Sequence, residues 1–162
     1  MTFNLTKDQI EIQQRARQIA STLVAENAVE VDKSEQYPWD NVKALTDAGF
    51  VGMTIPKEYG GPGRSFLEAN LVVEEMAAYC GPTGRIAVEA NMGAISAVMH
   101  YGTDFQKRLA AELVLAGDKP AICITEPDAG SAASQMTTRA DKRGDRYVTV
   151  SYTHLRAHET YP

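Results

Sequence analysis

Residues 121–134 read AICITEPDAGSAAS, and this stretch decides where a run of helices stops and a β structure begins. Ile122, Ile124 and Thr125 put β-branched weight around Cys123, which predicts a short strand ahead of the breaker Glu126-Pro127. Pro127, Asp128, Ala129, Gly130 and Ser131 then form a turn of small residues that lets a ligand approach the backbone closely. A strand that stops at such a loop offers N–H groups and hydroxyls to a phosphate or a planar ring. On local composition alone, an ordinary strand and turn is the plainer reading.

Upstream, Thr6-Lys7-Asp8-Gln9 is a capping box that starts a helix, with Ile12, Ala16, Ile19 and Leu23 forming one apolar stripe. The charged run at 26–35 is expected to end or loosen it. A second helix is expected from Pro38, burying Trp39, Val42 and Leu45 and stopping at Gly49. Residues 50–55 are apolar up to Pro56, and Gly60-Gly61-Pro62-Gly63 is a loop. Ser65 to Glu68 is a second capping box, opening a helix through Leu71, Val72, Met76 and Ala77 that Gly81-Pro82 breaks. Residues 85–100 read as one largely apolar helix, central and buried, stopped by Gly102. Thr103 to Gln106 is a third capping box, for an amphipathic helix ending at Gly117. About five helices thus precede the first strand, so the expected class is mainly α.

Downstream, residues 136–140 and 146–150 read as strands about a Lys142-Arg143-Gly144-Asp145 turn. Two or three strands make no stable sheet, so a second domain starts here. The expected division is an all-α domain over 1–119, the start of a β domain over 120–148, and a tail over 149–162. That tail, with SYTHLRAHET at its heart, continues neither alternation nor turn and resembles translated sequencing-adapter read-through. It is read as foreign to the fold, and the chain as the N-terminal part of a longer protein.

With 162 residues, of which 44% are hydrophobic, the chain can bury one ordinary core, and no apolar run approaches a membrane span. A net charge of −5 argues against nucleic acid or an anionic membrane as partner. Cys80 and Cys123 lie in apolar segments and read as buried thiols, which together with the missing signal pattern points to the cytoplasm.

Other chemistry is weak. His154 and His158 have the i, i+4 spacing of zinc ligands but no third ligand and no adjacent glutamate. Ser131 has only His100 as a candidate base, no GxSxG elbow occurs, and the glycines at 60, 61 and 63 lack dinucleotide spacing. Arg85 opens an apolar helix, where it either reaches solvent or, if buried, needs an anionic partner.

The string ITEPDAGS at 124–131 resembles the flavin-binding motif of the acyl-CoA dehydrogenase family, usually ITEPxAGSD, and follows a helical domain as it does there. Within that family the chain is most similar to the branch that releases sulfite from 3-sulfinopropanoyl-CoA. The shared segments are EQYPWDNV (35–42), DAGF (47–50), GRI (84–86), YG (101–102), LVLAGDKPA (113–121), GSAAS (130–134) and MTTRADK (136–142). Ala132, where most of the family has Asp, agrees with that branch. The resemblance, which runs from Thr6 to Val148, implies an N-terminal helical domain followed by the first strands of the family's β domain. It also implies FAD, bordered by Ile122, Ile124 and Thr125, with Gly130 and Ser131 against the cofactor or the acyl-CoA. Arg85 would hold the sulfino group, whose two oxygens suit a planar guanidinium. No catalytic residue is assigned within the chain, which is expected to be inactive by itself. The intact protein would be a homo-oligomer, a tetramer, turning its substrate into propionyl-CoA and sulfite. Two alternatives stand beside this: α,β-dehydrogenation of a short acyl-CoA with electron-transfer flavoprotein as acceptor, and a helical binding module without cofactor.

Overall fold

The computed structural model describes residues 4–118 and 120–150; His154, His158 and the rest of 151–162 lie outside them. The chain divides into two compact units, Met1–Ile122 and Cys123–Pro162.

In the first unit, helix α1 (Lys7–Ile19) opens on the expected capping box: the Thr6 hydroxyl accepts from the Gln9 N–H, and the Gln9 amide oxygen accepts from the Thr6 N–H. A π-helical turn (Ala20–Val24) carries it without a break into α2 (Ala25–Ser34). The charged run at 26–35 therefore does not loosen the helix. Ala28 and Val31 continue the stripe of Ala20 and Val24 onto the core, and the helix ends only where Glu35 takes φ +55°.

Helix α3 (Trp39–Asp47) follows Pro38 and buries Val42 and Leu45. Trp39, expected inside, is 51% exposed, its ring edge-on to Tyr37. Asn41 takes the interior place instead, accepting from the Asn27 amide and donating to the Thr83 hydroxyl, each at 2.9 Å. Gly49 stops α3 as expected: at φ +73° it lets its own N–H reach Thr46 O while Phe50 N–H reaches Leu45 O, the paired bonds of a Schellman end.

Phe50, Val51, Met53 and Ile55 then enter the core as irregular backbone. The groups there find their partners in the buried side chain of Asn91. Its Nδ2 donates to Phe50 O and Ala87 O at 2.9 Å each, and its Oδ1 accepts from Met53 N–H at 2.7 Å. Thr54 donates its hydroxyl to Asn91 O, and Gly52 N–H reaches Ala90 O. Helix α4 (Phe66–Ala77) starts on the expected Ser65–Glu68 box and lies close against α5 (Gly81–Asn91). A Cβ at Gly84 would sit 2.6 Å from the Ala77 Cβ, so glycine is what permits that approach.

The single helix expected at 85–100 is two. After α5 the chain breaks at Met92-Gly93 and resumes as α6 (Ala94–Tyr101). Gly93 faces the Glu89 carboxylate so closely that a Cβ would overlap it. The expected central position belongs to α5, which buries Thr83, Gly84, Ala87, Glu89, Ala90 and Asn91; α6 buries only Ile95. Helix α7 (Asp104–Leu115) begins on the Thr103–Gln106 box and ends in a Schellman turn at Gly117.

In the second unit the strand expected at 122–125 is absent. The backbone there joins no ladder among the described residues, and a strand is defined by its neighbour. Strands β1 (Arg139–Arg143) and β2 (Arg146–Val150) pair antiparallel, with Arg143 opposite Arg146 and Gly144 at φ +65° in the two-residue turn. β1 starts later than expected, and the Thr137 and Thr138 N–H groups ahead of it point to Glu126. The mainly α class with its first strands stands. Cys80 is buried, whereas Cys123, without a strand to carry it inward, is exposed; both are free thiols. Among the described residues no helix is long and apolar enough to cross a membrane, and no cluster of His, Cys, Asp and Glu could hold a metal.

Asn91→Leu keeps the branching of the side chain but orphans the Phe50 carbonyl and the Met53 N–H, so it should cost about 3 kcal/mol or more. Urea unfolding checks this; a loss under about 1 kcal/mol would show that another group or water serves these atoms.

Candidate functional site

Arg85 stands in the first turns of α5 with its side chain 65% exposed. It forms an ion pair through Nη2 with Oε1 of Glu89, one helical turn on. Glu89 is buried, and its Oε2 lies 3.4 Å from the Ala94 N–H at the start of α6. The two readings left open for Arg85 are thus both partly realised: it reaches solvent, and it has an anionic partner.

The residue lines a cleft of about 350 Å³ with apolar Val31, Pro38, Pro82 and Ile86, and with the polar Glu35, Gln36 and Tyr37. The end of α2, the turn at Glu35 and the start of α5 build its walls, so two of the segments on which the family resemblance rests, 35–42 and 84–86, meet here. Burial, with a smaller contribution from Asp118, pushes the Tyr37 phenol up, so it is a neutral hydroxyl. An exposed guanidinium with one Nη engaged keeps N–H donors for an anion, and the apolar walls suit a short aliphatic stem.

The second group of candidates lies along 122–131. Ile122, Ile124, Thr125, Gly130 and Ser131 are all exposed. A Cβ added at Gly130 would meet nothing within 4 Å, and its φ is not positive, so nothing in the described chain requires glycine there. Exposed isoleucines beside hydroxyls can lie along a planar ring and bond its polar edge. His100 is also exposed, edge-on to Tyr101, as a surface histidine would be.

Two residues carry this geometry that the sequence reading passed over. Glu89 was signalled by its i, i+4 spacing from Arg85. Glu126, read only as part of a breaker, is 6% exposed and is the anchor of its loop. Its Oε2 accepts from the Thr137 N–H at 2.8 Å and the Thr137 hydroxyl at 2.9 Å, and its Oε1 from the Thr138 N–H at 2.7 Å. No local pattern announces partners this far along the chain.

Hydrogen bonds from the Thr138 hydroxyl and then the Thr137 N–H, opposed by desolvation, pull the Glu126 carboxyl from 4.5 down to about 2. A depressed carboxyl stabilises the folded form fully above its unfolded value and loses that effect as pH falls through the folded one. The order of the loop should therefore persist to about pH 4.5 and decay toward about 2. Carbon NMR of the Glu126 carboxyl reads this directly; a midpoint near 4.5 would mean the bonds are not made in solution.

The family "Acyl-CoA dehydrogenase, N-terminal domain" matches residues 6–118. The 3-sulfinopropanoyl-CoA desulfinase of Variovorax paradoxus is 60% identical over 146 residues, 90% of this chain and 37% of that protein. The short-chain specific acyl-CoA dehydrogenase of Clostridium acetobutylicum is 36% identical over 91% of this chain and 39% of its own. Among solved structures, a glutaryl-CoA dehydrogenase from Mycobacterium smegmatis in complex with FADH2 superposes with TM-score 0.80 at 26% identity, over 91% of this chain and 38% of that one. The chain thus spans a little over a third of the length of the relatives it matches.

Proposed function

The chain belongs to the acyl-CoA dehydrogenase family, and from that premise we propose that the whole protein is an FAD-dependent enzyme that desulfinates 3-sulfinopropanoyl-CoA to propionyl-CoA and sulfite. The observation that carries this reading is Arg85, exposed in a cleft built from segments 35–42 and 84–86, with N–H donors left for a bidentate anion. The 60% identity to the Variovorax desulfinase supports it. So does the GSAAS string at 130–134.

In this reading Arg85 binds and orients the sulfino group, and the apolar cleft wall excludes water from the short acyl stem. The exposed Ile122 and Ile124 fit one face of a flavin, and the Thr125 and Ser131 hydroxyls fit its polar edge or phosphates. Gly130, with open space where a Cβ would stand, leaves room for close approach. The bound flavin would supply the redox or electrophilic chemistry. The enzyme is expected to work in the cytoplasm as a homo-oligomer.

The 36% identity to a short-chain dehydrogenase keeps a second reading in view, α,β-dehydrogenation with electron-transfer flavoprotein as acceptor. Supplying the whole protein with 3-sulfinopropanoyl-CoA separates the two. Sulfite release is expected; enoyl-CoA from butyryl-CoA without any sulfite would sink the desulfinase reading. Removing a charge-assisted bidentate contact in Arg85→Ala should raise KM for the sulfinate substrate on the order of 10- to 100-fold. Binding of propionyl-CoA, which has no anion at that end, should stay within about twofold.

A further inference from the structure

The loop of residues 127–136 is closed at both ends on one residue, Glu126, by its backbone at the start and by its side chain at the end. At its start, Glu126 and Ala129 exchange backbone hydrogen bonds, N–H to O in both directions at 3.2 Å, around Pro127-Asp128. In its middle, a 3₁₀ turn (Ala133–Gln135) is held by Gln135 N–H to Ala132 O and Met136 N–H to Ala133 O. At its end, Thr137 and Thr138 turn their N–H groups, and Thr137 its hydroxyl, onto the Glu126 carboxylate. Ala129 is buried beneath this arrangement, while Gly130 and Ser131 stand exposed on it. A compact surface loop with its ends drawn together is a common carrier of binding groups.

We propose that Glu126 is a positioning residue: its carboxylate takes the place of a strand ladder and holds the loop of 127–136 so that Gly130 and Ser131 are presented to the cofactor in one arrangement. This rests on the reading of Gly130 and Ser131 as cofactor contacts. The chemistry demands an ionised carboxylate. Both oxygens accept, and every partner is a donor, so a glutamine amide would set an NH₂ against an N–H, and a shorter aspartate would fall short of both threonines. The residue touches no cofactor itself and acts through the loop.

Two measurements on the whole protein decide it, amide hydrogen exchange of Thr137 and Thr138 and the flavin retained per chain after gel filtration. In Glu126→Gln, protection of both amides should fall at least about tenfold and flavin should be lost with it. Because that variant can damage folding broadly, Thr137→Val and Thr137→Ser supply the graded case. Valine deletes one hydroxyl donor and should lower protection and flavin affinity together, whereas serine keeps the hydroxyl and should restore both. Unprotected Thr137 and Thr138 amides in the unaltered protein would overturn the proposal. So would full flavin retention in Glu126→Gln after protection is lost, since the bonds would then be structural only. If the unaltered protein takes up no flavin, the cofactor reading fails, and with it the positioning role, whereas intact exchange protection in that case would still show the carboxylate closing the loop.

Discussion

Backbone that is neither helix nor strand must still satisfy its N–H and C=O groups, and in this chain single side chains share that work with backbone partners. In the first unit the apolar run at 50–55 crosses the core between α3 and α4 as irregular backbone. Asn91 meets it with an amide that can donate twice and accept, one of the few side chains able to serve both kinds of orphan group at once. The position of Asn91 is itself set by α5, which approaches α4 closely because Gly84 carries no side chain. The cleft at Arg85 depends on the same helix, so core packing and candidate site share one support.

Glu126 repeats the device in the second unit with a different chemistry. There every group to be satisfied is a donor, and an anion is the matching acceptor. The two solutions differ in their exposure to pH. A neutral amide is indifferent to acid, whereas the carboxylate keeps its partners only while ionised, and its partners in turn extend the range over which it stays so.

Much of the fold could be read locally because its signals are local. All three capping boxes, at Thr6, Ser65 and Thr103, form with both of their hydrogen bonds. Gly49 and Gly117 end their helices in the left-handed conformation that glycine accepts without strain, and the turn at Gly144-Asp145 closes the hairpin. What could not be read depends on partners distant in sequence. Asn41, not Trp39, faces the interior from α3, where Asn27 and Thr83 give it hydrogen bonds. The helix at 85–100 split where the Glu89 carboxylate occupies the space beside Gly93. The β-branched run at 122–125 had strand propensity but no neighbour among the described residues, and propensity without pairing does not make a strand. For the site, residue types were legible through the family motif and the counter-ion Glu89 through its i, i+4 spacing from Arg85, while the anchoring role of Glu126 rests on Thr137 and Thr138, more than ten residues on.

The Arg85–Glu89 pair bears on how an anion could be recognised at all. A guanidinium tightly matched by a carboxylate is a poor receptor, but here the match is modest. An i, i+4 pair with so exposed an arginine contributes about 0.3–0.5 kcal/mol. The burial of Glu89 matters more than that energy. It fixes one end of the pair beside the α6 N-terminus, and Arg85, otherwise a long side chain with many rotamers, is tethered near the cleft. A single Nη is engaged, so N–H donors of the guanidinium stay open to an anion without expulsion of the glutamate. Glu89 places a negative charge behind the arginine and Glu35 lines the same cleft, so the bare site has no excess positive charge to attract an anion. Such a receptor discriminates by geometry, favouring an anion at the end of a short stem, more than by raw charge attraction.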